Sequence, residues 1–330
     1  MTRSIVMSLP YDYLYDAVAE RLAPRTASGE LRLLKWSPKY PDASAADPAE
    51  IDLLVIPYHT TQEKTTGQYV STQVLRRTRE LYPSVSVVQA LSIGVEGLEG
   101  CVPTGAVLCN SRGVMELPTA ELAVTLLLAA TRELPGFVRT GARWDNHRTA
   151  GLVGSRVLLL GYGGVGSAVE QLLTGFSVEI ARVAHHGRDL ADGTRVHAIE
   201  ELVDLLPHYD AVVCSLPETE FTHGLLDRTH LAAMPDGAVL VNIGRGSVVD
   251  ASALHEEARS GRLEFALDVT DPEPLPADDL LWQLPNVFIT PHVGGNTAAS
   301  LRFQVDLLAE QAVRLMEGRD AKNSVPLATD

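Results

Sequence analysis

The chain reads as an α/β protein with mainly parallel sheets, and three observations carry that reading. Short apolar runs alternate with helical patterns along all 330 residues. Several runs, such as 157–160, are continuously apolar, as strands covered on both faces require. A glycine-rich turn, Gly161-Tyr162-Gly163-Gly164-Val165-Gly166, directly follows one of them and opens a helix. At roughly 150 residues per domain, the length accommodates two domains.

The elements follow in order. Residues 4–8 (Ser-Ile-Val-Met-Ser) predict a first strand, and 11–22 a helix ending near Pro24. Apolar runs predict strands over 31–36 and 52–56. Between them, 37–50 carries three prolines with small and acidic residues and reads as a surface loop. Residues 74–81 read as helical, 85–90 as a strand and 94–100 as a turn punctuated by glycines. The segment 118–134 has Pro118 in its first turn, apolar positions nearly all round, and Pro135-Gly136 as its stop. Such coverage implies burial on most sides, as between two domains. Strands are then expected at 157–160, 178–184, 211–216, 238–243, 263–269 and 287–290, with helical stretches between most of them. Apolar residues at helical spacing (Leu301, Val305, Leu308, Ala312, Leu315) predict a helix over 298–316, closed by Gly318. The last twelve residues read as a short strand or tail.

Composition narrows the function. Hydrophobic residues make up 45% and charged residues 21%, as in an ordinary globular protein. Lys and Arg number 27 against 42 Asp and Glu, so the net charge of −15 repels a phosphate backbone and argues against a nucleic-acid partner. Cys101, Cys109 and Cys214 form no CxxC pair and no metal-type spacing, which predicts a reducing compartment and no metal site. The N-terminus has only a short apolar stretch before Asp12 and Asp16, unlike a secretory signal. Residues 122–130 fall far short of the roughly 20 a membrane span needs. The expectation is a cytoplasmic protein with no membrane partner.

The glycine turn has the form that dinucleotide phosphates require. Gly161 makes the tight turn, Gly163 lets a pyrophosphate approach the backbone, and Gly166 lets helix and strand pack closely. The helix N-terminus then offers free N–H groups to the anion. The next strand ends at Ala184, where NAD-binding chains carry an acid for the adenosine ribose. His185, His186 and Arg188 follow it. Without the acid, and with an Arg to pair with a 2′-phosphate, this end is expected to prefer NADP, with NAD possible. The His pair has no third ligand nearby in sequence that would make it a metal site.

Three further motifs each follow a predicted strand: 242–250 (NIGRGSVVD), 266–274 (ALDVTDPEP) and 290–295 (TPHVGG). In an open parallel sheet they belong at the carboxyl edge, beside the dinucleotide. Arg245 can hold a carboxylate and polarise a carbonyl, His292 can pass a proton, and Glu273 can orient the His and raise its pKa.

These residues, in this order, resemble the D-isomer-specific 2-hydroxyacid dehydrogenases, as do 91–95 (LSIGV), 118–122 (PTAEL) and 216–219 (LPET). The resemblance covers nearly the whole chain. It implies two Rossmann-like or flavodoxin-like domains with a cleft between them, the nucleotide-binding domain being inserted in the catalytic domain. The expected bounds are 1–110 with 296–330 for the substrate domain and 111–295 for the dinucleotide domain. By the same resemblance, His292 is the acid/base, Glu273 its partner and Arg245 the substrate anchor. Asp268 would hold the nicotinamide carboxamide, with Leu216, Pro217, Thr222, Ile243 and Gly294 completing the cofactor site. The N–H groups of Ile93 and Gly94 would bind the substrate carboxylate, and Tyr58 and His59 would limit side-chain size. The implied reaction is reduction of a 2-oxo acid to a D-2-hydroxy acid, and the reverse, by a homodimeric enzyme. Two rivals share the fold: a non-enzymatic nucleotide-sensing regulator, and a phosphite dehydrogenase, which would carry a lysine where this chain has Ile93.

Overall fold

A computed structural model describes residues 3–35, 48–60, 70–95, 97–140 and 144–326. The chain forms two compact units, one from 1–115 with 298–330 and the other from 116–297. Both dividing points sit at the start of a long helix, a few residues beyond the expected 110 and 295.

The first unit begins with β1 (Ile5–Leu9), α1 (Asp12–Arg21), α2 (Ala23–Ala27) and β2 (Leu31–Lys35). Of the expected loop 37–50, residues 37–47 lie outside the described residues, and 48–50 form a single turn. Next come β3 (Leu53–Ile56), the two-residue pair β4 (His59–Thr60) and β5 (Val70–Ser71), then α3 (Thr72–Leu75), α4 (Thr78–Leu81), β6 (Val87–Ala90) and β7 (Val107–Cys109). The helix expected over 74–81 is therefore two single turns, because the helical pattern breaks at Arg76-Arg77.

The second unit runs α5 (Glu116–Thr131), α6 (Leu134–Thr140), β8 (Arg156–Leu160), α7 (Gly164–Leu173), β9 (Glu179–Ala184), β10 (Arg188–Asp189), β11 (Arg195–Ala198), α8 (Leu202–Leu205), β12 (Ala211–Cys214), α9 (Arg228–Ala233), β13 (Val239–Asn242), α10 (Ala251–Ser260), β14 (Glu264–Leu267) and β15 (Val287–Ile289). The chain then returns to the first unit through α11 (Ala298–Met316).

The first sheet has the order β2-β1-β3-β6-β7, all parallel. Its two faces are covered separately. Leu14 and Val18 of α1 and Val305, Leu308 and Ala312 of α11 pack on one side, and Leu75, Tyr82 and Leu98 on the other. The second sheet has the order β10-β11-β9-β8-β12-β13-β14-β15, parallel except for the β10–β11 hairpin. One face is buried by α5 and α7, the other by the segments carrying Leu202, Leu231 and Leu254. In each sheet the first strand of the unit pairs on both sides, which creates a topological switch point at its carboxyl end.

One expectation is corrected. Pro135-Gly136 does not stop the long helix. It ends at Thr131 followed by Glu133 in a left-handed conformation, and Pro135 lies in the first turn of α6, where its missing N–H costs nothing. Within its own unit, Ala120, Ala123 and Leu127 of α5 pack with Val169 and Leu173 of α7 and Val241 of β13.

Candidate active site

At the end of β8 the glycine turn does what its spacing requires. Gly161 has φ +106°, and a β-carbon there would stand 2.8 Å from Ser215 Oγ. A β-carbon on Gly166 would lie 2.1 Å from the Gly161 carbonyl oxygen, so only glycine lets α7 pack this closely on the turn. Gly163, the N-cap of α7, has open space where its β-carbon would be, which leaves room for an anion at the helix N-terminus. These are the features of a cradle that fits a dinucleotide pyrophosphate. Tyr162 anchors its outer side: its hydroxyl donates to Glu170 Oε2 at 2.6 Å, and Arg182 pairs with the same carboxylate. Burial works against the charge of Glu170, but the bonds from Arg182 and Tyr162 hold its carboxyl below the usual range.

Beyond Ala184 the chain exposes His185, His186 and Arg188. The two imidazole rings lie 4.2 Å apart, and His185 also meets Phe221 at 5.3 Å. Arg188 reaches back to the glycine turn, donating from Nη2 to the Tyr162 carbonyl at 2.9 Å. The turn after β12 completes this end. Leu216 is buried, and Thr222 is buried too, with its hydroxyl donating to the Pro217 carbonyl at 2.6 Å. The Thr222 hydroxyl also accepts from the Thr219 N–H, so its role is to shape the turn.

The three catalytic candidates emerge from consecutive strands. Arg245 follows β13, Glu273 follows β14 and His292 follows β15, and neighbouring strands lie about 4.8 Å apart. The His292 Nδ1 and Glu273 Oε1 are 2.7 Å apart, with both side chains part-exposed. Arg245 is half-buried, and its Nη1 donates to the Gly244 carbonyl at 2.9 Å. Asn242 fixes the turn beneath it by accepting from the Gly244 N–H and donating to the Arg245 carbonyl. Ile243 is buried beside them, and Gly244 and Gly246 each lie too close to backbone for any β-carbon.

Asp268 organises the last turn. Its carboxylate is buried and accepts from Thr290 Oγ1 at 2.5 Å and from the N–H groups of Val293 and Gly294 at 2.9 Å. Its own carbonyl accepts from the His292 N–H at 2.8 Å. His292 has φ +50°, a conformation that L side chains adopt only when neighbouring bonds impose it, and these four bonds do so. Sequence motifs pointed to Asp268 as a cofactor ligand but gave no sign of this second task.

In the first unit, Tyr58 is tied at both ends. Its N–H donates to the Tyr11 hydroxyl at 3.0 Å, and its own hydroxyl accepts from the Gln304 amide at 2.6 Å. Burial pushes its phenol pKa up. The side chain of His59 lies outside the described residues. The Ile93 and Gly94 carbonyls accept from Asn110 and Ser92 respectively, while neither N–H has a partner among the described residues. Sequence alone does not single out Tyr11, Ser215 or Gln304. Their types are common in turns and cores, so only the fold reveals their contacts. A cavity of about 400 Å³ at the opposite, amino edge of the second sheet is lined by small residues with Asp210 and Asp236 as its charges, and offers no seat for an anion.

The fold and the glycine cradle define the second unit as a dinucleotide-binding domain of the doubly wound type. Residues 124–294 match the family described as D-isomer specific 2-hydroxyacid dehydrogenase, NAD binding domain. The chain belongs to the D-isomer specific 2-hydroxyacid dehydrogenases, oxidoreductases that act on the CH–OH group of 2-hydroxy acids. A glyoxylate/hydroxypyruvate reductase B of Pectobacterium atrosepticum is 30% identical over 263 residues, 74% of this chain and 79% of that protein. A D-3-phosphoglycerate dehydrogenase of Methanocaldococcus jannaschii is 29% identical over 262 residues; they are 77% of this chain, which spans only about half (50%) of that relative's length. A D-isomer specific 2-hydroxyacid dehydrogenase of Xanthobacter autotrophicus, solved with NADPH and MES, superimposes with a TM-score of 0.79 at 25% identity, covering 99% of this chain and 98% of that one. Among the described residues, no helix is long and apolar enough to cross a membrane.

Proposed function

We propose that the protein reduces a 2-oxo acid to the D-2-hydroxy acid, and runs the reverse reaction, with NADP(H) as its preferred cofactor. The observation that carries this reading is the 2.7 Å His292–Glu273 pair in the same unit as the glycine cradle. A bound reduced nicotinamide supplies the hydride to the carbonyl carbon. Glu273 accepts from His292 Nδ1–H, which fixes the ring and leaves Nε2 to deliver a proton to the forming alkoxide. Arg245 holds the substrate carboxylate and stabilises the charge developing on the carbonyl oxygen. Asp268 holds the turn that presents His292 and is the proposed partner of the nicotinamide carboxamide. The N–H groups of Ile93 and Gly94 are proposed as further carboxylate donors, and Tyr58 as a limit on the substrate side chain.

The cofactor preference rests on Ala184, which brings no carboxylate to the ribose, and on exposed Arg188, held beside the cradle by the Tyr162 carbonyl. The NADPH bound to the Xanthobacter relative agrees with that assignment. Cys101, Cys109 and Cys214 are buried thiols that form no disulfide among the described residues, as in a reducing compartment, and a cytoplasmic location is proposed. A homodimer would cover Leu134, Val138 and Val153, apolar side chains that stand exposed on the second unit. The test is a panel of 2-oxo acids (glyoxylate, hydroxypyruvate, phosphohydroxypyruvate and phenylpyruvate) assayed with NADPH and NADH. Turnover of at least one acid, faster with NADPH, is expected. No turnover with any of them rejects the reaction, and equal kcat/KM for the two cofactors rejects the preference.

A further inference from the structure

The first turn of α5 lays an acid against the glycine cradle. A β-carbon built on Gly164 would lie 2.8 Å from Glu116 Cγ and 3.2 Å from its Oε1, so the Glu116 side chain occupies the space that a side chain at 164 would need. Gly164 is the first residue of the ten-residue α7, directly after its N-cap, and so belongs to the anion seat itself. Three residues along α5, Thr119 Cγ2 comes within 3.2 Å of the corresponding position on Gly294. The same turn of helix therefore runs from the cradle to the His292 loop, the path a dinucleotide takes from pyrophosphate to nicotinamide.

We propose that Glu116 limits the affinity for the dinucleotide, its carboxylate competing with the pyrophosphate for the N-terminus of α7. The inference rests on the reading of the cradle as a dinucleotide seat. Two negative groups at one helix terminus repel, and in a half-solvated cleft at a few ångströms that repulsion is worth about tenfold in binding. Gly164 is the matching adaptation, since any larger residue there would collide with Glu116. A weak grip suits a redox cofactor that must leave after every turnover. The effect acts on the pyrophosphate, so it falls equally on NADPH and NADH and is separate from the choice made at Arg188.

The test is equilibrium binding, followed by calorimetry, of NADPH, NADH and 2′-AMP, which carries no 5′-phosphate to place at the α7 N-terminus. Glu116→Gln, with Glu116→Thr as a second variant, should bind both dinucleotides about tenfold more tightly than wild type, bind 2′-AMP unchanged, and lose part of the gain at high salt. Unchanged dinucleotide affinity would show that the carboxylate does not reach the pyrophosphate. Weaker affinity would show that it accepts a hydrogen bond from the ribose instead. Either result overturns the proposal while leaving the seat intact, whereas a wild type that binds neither dinucleotide would reject the seat itself.

Discussion

The two sheets share a topology at their switch points and differ in what occupies them. At the end of β8 stand Gly161, Gly163 and Gly166, with open space at Gly163 and a ten-residue helix behind it. At the end of β1 the chain reads Pro10, Tyr11, Asp12. Tyr11 stacks on Tyr13 at 5.4 Å and Tyr58 at 6.1 Å, and Asp12 puts a negative charge in the first turn of α1. A switch point provides a crevice wherever a parallel sheet reverses its strand order. Whether phosphate can enter is decided by the three or four residues of the first turn. The tyrosine-filled crevice cannot take a dinucleotide, and it offers apolar surface instead. Here one architecture, used twice, has been divided between a cofactor and the proposed substrate-facing surface.

Four substitutions break or sharpen this contrast, from large effects on the glycine side to small ones on the tyrosine side. His292→Ala should lower kcat by about 10² to 10⁴, the usual worth of general acid catalysis, with the Kd for NADPH nearly unchanged. Near-wild-type turnover would remove the chemistry from that edge. Arg245→Lys keeps the charge but loses the planar fork, and should reduce kcat/KM for the best 2-oxo acid by at least about tenfold. A value matching wild type would show that the anchor lies elsewhere. Arg188→Ala should weaken NADPH by about ten- to a hundredfold, the worth of one charge-assisted bond of 1.5 to 3 kcal/mol, and leave NADH alone. Comparing the two Kd values decides it, and a parallel loss for both cofactors contradicts the assignment. On the other side, Tyr58→Phe leaves the buried Gln304 amide with a single 3.3 Å bond to the Leu91 carbonyl. Denaturant unfolding should register a loss of about 1 kcal/mol, with kcat little changed.

The same contrast explains what sequence could reveal. Strands β8, β12, β13 and β14 are legible because burial on both faces demands largely apolar runs, such as 211–214 (AVVC). The cradle and the 242–250, 266–274 and 290–295 motifs are legible because phosphate and proton chemistry tolerate few residue types at fixed spacing. By contrast β7 and β10 are only three and two residues long and carry no periodicity to detect. The Pro135 stop misled because proline at a helix start and proline after a helix end look alike in sequence. The Glu116–Gly164 contact spans 48 positions and depends on how α5 packs against α7, which no local pattern encodes. Tyr11 reads as an ordinary aromatic at a helix start until β1 and β3 are paired.

The return of the chain through α11 has a consequence for the order of assembly. Leu308 and Ala312 complete the core of the first unit, yet they are synthesised only after the whole of 116–297. A nascent chain therefore holds a first sheet with one face incompletely covered while the second unit is made and can fold as a self-contained module. Left unfolded, that insert would impose a loop-closure penalty of several kcal/mol on α11 docking, since the entropy grows with about the logarithm of loop length. Once folded, it brings Thr119 against Gly294, so its two ends emerge side by side. The helix that binds the cofactor-side loops together thus also acts as a clasp, shortening the search that the last nineteen-residue helix must make to find its place.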